Sequence, residues 1–291
     1  MRFDPPEKDG VSDAPQTFEI RMDILKLELA NRVSRRRVTS TDSDVVVSAT
    51  THGIRINRVH VAIESVVRGS VRPARYILWL DDPALMANLP GSLKRLRRRG
   101  LEIILVPAGY RVHTKYYPYV ESIDNHVERL VTSEDDIVFP VHWLRDLLAC
   151  SDRYPDEVVS FRAHRIALAG TQIAPYDDWV PCTSTEPSYR NFGTNVSGQV
   201  YPPSFLNFIK THGTEFREAA PTADDVWLNR LAIASGRRTV QVLPDPHLFP
   251  WVPGTQASGL FWTNVLGGQN DLQIARTYTA DDIARIESDP A

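Results

Sequence analysis

Cysteine is nearly missing from this chain of 291 residues: Cys150 and Cys182 lie far apart and show no metal-ligand spacing. That excludes a disulfide scaffold or a zinc module and reads as two ordinary thiols in a reducing compartment. Long apolar runs are absent too, and nothing is apolar for long enough to cross a bilayer. There is no basic excess. The 33 Lys and Arg stand against 36 Asp and Glu, so the electrostatic footprint of a nucleic-acid binder is lacking. The eight histidines are scattered, which counts against a hydrolase built on clustered His and Asp ligands. No internal repeat and no clear linker divides the chain. What remains is an ordinary globular composition, 42% hydrophobic and 24% charged. A chain of this length needs neither a disulfide nor a metal to build its core.

The opening residues, MRFDPPEKDGVSDAP, lack the apolar core of a signal peptide and read as a disordered tail. Residues 1–40 are expected to form a partly disordered extension and 41–291 a single domain. The expected location is the cytoplasm. Arg35–Arg37 and the basic run Arg95–Arg99 read either as solvated patches or as a peripheral contact with the inner face of a membrane. Within 16–40 the apolar positions fit neither period cleanly: Ile20, Ile24 and Leu27 suit a helix, while Leu25, Leu27 and Leu29 suit a strand.

From Asp44 the pattern sharpens. DVVVSAT is a β-branched run of the kind buried on both faces of a sheet. Helical spacing follows at Val59, Ala62, Ile63, Val66 and Val67, then a strand in ARYILWLDD, a basic helix closed by Gly100, and a strand in LEIILVP. VERLVTS reads as a fourth strand, VHWLRDLLACSDRYP as a helix with Pro140 near its start, and DEVVSFRAHRIAL as one further strand. Residues 171–205 are rich in Pro, Gly, Ser and aromatics and read as loop. TADDVWLNRLAIASG returns to helix and RTVQVLP to strand, before a loop and a short polar tail. This alternation predicts an open, mainly parallel α/β sheet flanked by helices, with a loop-rich C-terminal half. On such sheets ligands sit beyond the carboxyl ends of the strands.

The fourth strand runs straight into Glu134, Asp135 and Asp136. Three adjacent carboxylates repel one another and resist burial. If the extended geometry persists, Glu134 and Asp136 point to one side, where a hard divalent cation, Mg2+ or Mn2+, would relieve the repulsion. Asp135 then points away, toward a ribose hydroxyl or a basic neighbour. The plainer reading is an acidic turn or helix start. A second pair, Asp224 and Asp225, also has two readings. With Thr222 as N-cap, Asp225 falls where a capping box has its acid. Alternatively, one of the pair is a general base held rigidly at a helix start.

SEDDIVFPVHWL resembles the acid motif of GT-A fold, family 2-like glycosyltransferases, which share an aspartate-rich DDD/EDD-type pattern. VVVSATTHGIRI, PARYILWLDD, NVSGQVYPPSF, PTADDVWLNRLAIASG and GLFWTNVLGGQNDLQI resemble further segments of that family in the same order, from about Asp44 to about Ala275. The resemblance implies a Rossmann-like GT-A sheet. It also implies sugar transfer from a UDP- or GDP-linked donor to a hydroxyl of a glycan or glycolipid, with a divalent metal and inversion at the anomeric carbon. Asp225, with Asp224 the alternative, is then the base. Thr50, Thr51, Arg55, Lys115, Glu134 and Asp135 meet the nucleotide and its diphosphate. Asp136 is the principal metal ligand, with Glu134 reaching the metal or its water and His247 a late-loop candidate. Gly198 belongs to the sugar-facing segment. Trp179 and Tyr201 offer rings that stack on sugars, although large rings are equally core anchors. Two departures from the family pattern stand out. Glu134 replaces an aspartate, and Asn195, Ser197 and Gln199 make the glycine-bearing segment unusually polar, which touches sugar specificity. A nucleotidyltransferase would want a glycine-rich loop after the first strand, where TTHGIRINR has only Gly53. A non-catalytic nucleotide-sugar or glycan-binding protein would keep the acids at 134–136 without a working base at 224 or 225.

Overall fold

The structure is a computed structural model and describes residues 17–255 and 268–289. The expected N-terminal tail falls mostly outside the described residues, as do Trp262 and most of the GLFWTNVLGG segment.

Seven strands form the central sheet. They are β1 (Val45–Thr50), β2 (Arg75–Leu80), β3 (Glu102–Leu105), β4 (Arg129–Thr132), β5 (Val158–Ser160), β11 (Gln199–Tyr201) and β12 (Thr239–Gln241). Their spatial order is β12-β5-β11-β4-β1-β2-β3, parallel except for β11, which runs antiparallel to both neighbours. The expected open, mainly parallel α/β sheet is therefore present.

The β-branched run of β1 is buried on both faces because successive side chains serve two different cores. Val46 joins Ile77 and Leu130 on one side, while Val45 and Val47 join Leu78 and Val131 on the other. The second of these cores is closed by α2 (Val59–Val67), α4 (Gly91–Arg98) and α6 (Trp143–Arg153). The first is closed by α5 (Tyr117–Ser122), α7 (Pro203–Thr211), α8 (Phe216–Ala219) and α9 (Asp224–Ala234). A short α3 (Pro83–Ala87) follows β2, capped by Asp82.

One stretch that the sequence left open takes its helical alternative, and three others differ from the sequence reading. Residues 18–33 form a helix, α1 (Phe18–Val33), whose Ile24 and Leu27 pack with Val61, Val138 and Val252. DEVVSFRAHRIAL is not one strand. The Ser160 hydroxyl donates to the Arg162 carbonyl at 2.8 Å, the chain turns, and β6 (Ala163–Arg165) enters a separate antiparallel sheet with β9 (Val180–Pro181) and β10 (Asn191–Gly193). The stretch expected to be all loop thus carries this second sheet and a small hairpin, β7 (Leu168–Ala169) with β8 (Gln172–Ile173). The short polar tail is two helices, α10 (Gln269–Thr277) and α11 (Ala280–Ser288), the latter opened by a Thr279–Asp282 capping box. Few but well-spaced apolar residues, Ile274, Tyr278 and Ile286, dock them on the core.

Candidate active site

Parallel pairing of β1 with β4 brings two carboxyl ends together. The Ser133 amide still donates to the Ser48 carbonyl at 2.9 Å, but β4 has ended at Thr132 and the acids lie in the bend beyond it. The alternation expected of Glu134, Asp135 and Asp136 therefore fails. All three turn inward together, with a carboxylate oxygen from each within 4.8 Å of the others. A second contact fixes the bend. Ile137 bridges to Trp251, the Val138 amide donates to the Pro250 carbonyl at 2.8 Å, and the Val252 amide donates to the Asp136 carbonyl at 2.6 Å.

Two buried cations answer the repulsion. Arg55 sits in a 3-10 turn, Gly53–Asn57, just beyond β1. Its Nη1 lies 2.9 Å from Asp135 Oδ1 and 2.9 Å from Asp136 Oδ2, and its Nε donates to the Thr255 carbonyl at 2.9 Å. Thr51 Oγ1 donates to Asp135 Oδ2 at 2.6 Å. Lys115 closes the 3-10 turn Arg111–Lys115 and points Nζ at Glu134 Oε1 (2.5 Å) and Asp224 Oδ2 (3.1 Å). Arg55 is 8% exposed and Lys115 is 6% exposed, so neither is a surface salt bridge. Burial alone would lower both cations' pKa values. The carboxylates outweigh it, Asp136 and Asp135 for Arg55 and Asp224 and Glu134 for Lys115, and both values rise. Burial raises the Glu134 carboxyl, with Lys115 opposing.

Asp224 and Asp225 do not form the capping box that the sequence suggested. Helix α9 begins at Asp224 behind Ala223, with no side-chain cap. The Thr222 hydroxyl bonds to Gln273 of α10, and the two aspartates point at Asn195. The Asn195 Nδ2 donates to Asp224 Oδ2 (2.9 Å) and Asp225 Oδ1 (2.7 Å), and its backbone N–H donates to Asp225 Oδ1 (2.9 Å). Its Oδ1 accepts from Thr132 Oγ1 (2.6 Å) and Tyr201 O–H (3.1 Å). Asn195 is thus filled on both ends of its amide. It is the residue that sequence reasoning placed under sugar specificity, and a lone Asn in a loop gave no signal of this positioning role. Asp225 is half-buried, and burial first, then the Asp224 charge, push its carboxyl from its ordinary 3.8 up to about 8. Arg162, held by Thr194 and His164, lies close enough to sense the Asp225 charge and was not among the expected residues.

Other expected residues sit as follows. The Thr50 hydroxyl donates to the Trp79 carbonyl at 3.1 Å, within the sheet. Trp179 and Tyr201 are core residues, 6% and 1% exposed, so neither presents an open ring face for stacking. Trp179 packs on Tyr176 and Phe192, while the Tyr201 hydroxyl serves Asn195. Gly198 has φ of +93°, and a side chain there would lie 2.6 Å from the Trp143 indole. His247 accepts from the Ser197 hydroxyl through its carbonyl, and its ring is not part of the carboxylate cluster. Its neighbours Pro250 to Val252 are the ones that lie against the acid bend. Of the basic patches, Arg99 is buried on Glu64, Arg95 holds Asn31, and Arg36 holds the Gly69 carbonyl. Arg35, Arg36, Arg37, Arg97 and Arg98 are nonetheless exposed, as solvated patches would be; Arg95 and Arg99 are the ones fastened into the fold.

Three carboxylates are hard oxygen donors, each with about four acceptor positions, so a Mg2+ or Mn2+ ion can share them with Arg55 and Lys115.

No protein-family model matches the chain, and no curated protein matches it. Among solved structures its fold is similar to that of S. aureus TarS 1-349, at 12% identity and a TM-score of 0.48, over 73% of this chain and 61% of that one. It is also similar to the same TarS fragment in complex with UDP-GlcNAc, at 12% identity and a TM-score of 0.47, over 71% and 57%. A third is 4-diphosphocytidyl-2C-methyl-D-erythritolsynthase from Anaerococcus prevotii DSM 20548, at 12% identity and a TM-score of 0.48, over 79% and 99%. The chain spans about three fifths of the TarS fragment's length.

Proposed function

We propose that this chain is a metal-dependent transferase that moves a sugar from a UDP- or GDP-linked donor to a hydroxyl of a glycan or glycolipid, with inversion. One observation carries the reading. Two acidic groups, 134–136 and 224–225, stand at the carboxyl edge of the sheet and are joined through a single buried lysine, Lys115. Asp224 and Asp225 are not a helix cap, so their placement against Asn195 calls for another reason.

Asp225 has the properties of a general base. It is fixed by two N–H donors from Asn195, and its raised pKa brings it nearer to that of a hydroxyl losing its proton. Arg55 balances Asp135 and Asp136, Thr51 holds Asp135, and Lys115 balances Glu134; the remaining acceptor positions of the three carboxylates would be the ones to share a divalent cation. A bound Mn2+ or Mg2+ would supply positive charge for a departing diphosphate.

The test is thermal unfolding with nucleoside diphosphates and nucleotide sugars, each with and without manganese. A ligand that binds only the folded chain raises Tm by mass action. The reading expects one nucleotide to stabilise in a manganese-dependent way, with the effect lost in Asp136→Ala. No shift with any nucleotide would overturn it. Nucleotide binding without sugar transfer to any acceptor would leave a binding protein, and release of pyrophosphate from a nucleoside triphosphate would make it a nucleotidyltransferase.

A further inference from the structure

Helix α1 buries one apolar face and exposes another. Ile24 and Leu27 face the fold, while Phe18 (77% exposed), Met22 (38%), Leu25 (55%), Leu29 (56%) and Val33 (67%) line the outside. Steps of four, three, four and four residues set them along one side of the helix, and the first four follow the a/d spacing of paired helices. A contiguous apolar stripe of this kind marks an interaction surface. No described residue covers it.

We propose that the stripe is where two copies of this chain pair, α1 against α1, antiparallel about a twofold axis. The flanking charges select both occupant and direction. Antiparallel packing that sets Met22 opposite the partner's Leu25, and Phe18 opposite the partner's Leu29, brings Glu19 beside the partner's Lys26. It also brings Arg21 beside the partner's Glu28. Symmetry repeats both contacts, giving four attractive pairs. Parallel packing instead sets Arg21 beside the partner's Lys26, which repels. Glu28 already bonds Arg58 at 2.7 Å, which steadies its carboxylate on this flank. A membrane is the poorer occupant, because α1 carries Glu19, Asp23 and Glu28 against Arg21, Lys26 and Arg32 and has no net attraction for anionic headgroups. A helix of this length spans about 24 Å. Such a seam buries less than a standard interface, so the pairing is reversible.

Sedimentation of the full chain over a concentration series reads the pairing directly. The expected result is a monomer–dimer equilibrium. Leu25→Glu should raise the dimer dissociation constant by about a hundredfold, since it buries two charges in the seam, with circular dichroism and Tm unchanged. Lys26→Glu should raise it about tenfold, and Glu19→Lys together with Lys26→Glu should restore it. A chain monomeric at every concentration, or a dimer indifferent to Leu25→Glu, overturns the proposal. A monomer that floats with phosphatidylglycerol vesicles, and loses that in Leu25→Glu, overturns it in favour of a lipid surface.

Discussion

A carboxylate works as a base only while ionised, and Asp225 sits where ionisation is opposed. Its carboxyl is pushed up to about 8, so turnover that uses it should climb with pH and level off above that value. Asp225→Asn keeps an acceptor for Asn195 but removes the base. Initial rates should fall between about a hundredfold and ten-thousandfold while the melting curve survives. The same shift has a stability sign. A carboxyl whose folded pKa is raised binds its proton more tightly in the native state. Its contribution is fully present below the unfolded value near 3.8 and fades as pH rises toward 8. Denaturant midpoints measured across that window should decline with pH in the native chain and decline less in Asp225→Asn. An equal slope in both would place the proton elsewhere. Lys115 makes the complementary case. Lys115→Ala leaves Glu134 and Asp224 without their shared cation and should cost about 3 to 5 kcal/mol by urea unfolding. The sequence showed these acids and cations one at a time. Which partner meets which acid was hidden, because Arg55 and Asp135 are 80 positions apart and Asn195 and Asp225 are 30 apart.

Elements with a strong period were legible and elements held by exceptions were not. The Val45–Val47 run, the five apolar positions of α2 and the acids just beyond β4 follow from spacing alone. The break between β5 and β6 follows from one serine hydroxyl turning back on Arg162, and no periodicity records that. The absence of a cap at α9 depends on Thr222 bonding Gln273 instead, a contact 51 residues away. The turn from Asn195 to β11 is the element on which the site depends most. Gly198 ends it with a left-handed backbone and lies against Trp143, whose Nε1 donates to the Ser197 carbonyl at 2.8 Å. Gly198→Ala should cost about 1 to 2 kcal/mol in backbone strain alone, before Trp143 moves. Because Asn195 belongs to the same turn, the variant should lose activity out of proportion to its drop in Tm. Normal turnover per folded molecule would separate the turn from the site.

At the scale of the whole molecule, the two ends of the chain serve opposite sides of the sheet. Helix α1 packs beside α2 with Val138 and Val252, and its outer stripe is exposed among the described residues. Helices α10 and α11 close the other side over α9, the helix that begins with the Asp pair. The polar composition of 268–291 concealed this, since three large residues do most of the burying. Ile274, Tyr278 and Ile286 are almost wholly enclosed, and the Tyr278 hydroxyl donates to Asn229 Oδ1 at 2.6 Å. Each such side chain is worth about 1.5 to 3 kcal/mol of burial. Arg285 adds hydrogen bonds to the carbonyls of Ile233 and Ala234 at the far end of α9, and Gln273 secures Thr222 at its near end. A domain has only about 5 to 15 kcal/mol of net stability. Ending the chain at residue 267 should therefore remove most of it. The truncated protein should melt many degrees lower or without a cooperative transition, and should bind no nucleotide even though it keeps every acid and cation of the site. A truncated chain that melts like the full one and retains nucleotide binding would mean that α7, α8 and β10 suffice to hold α9.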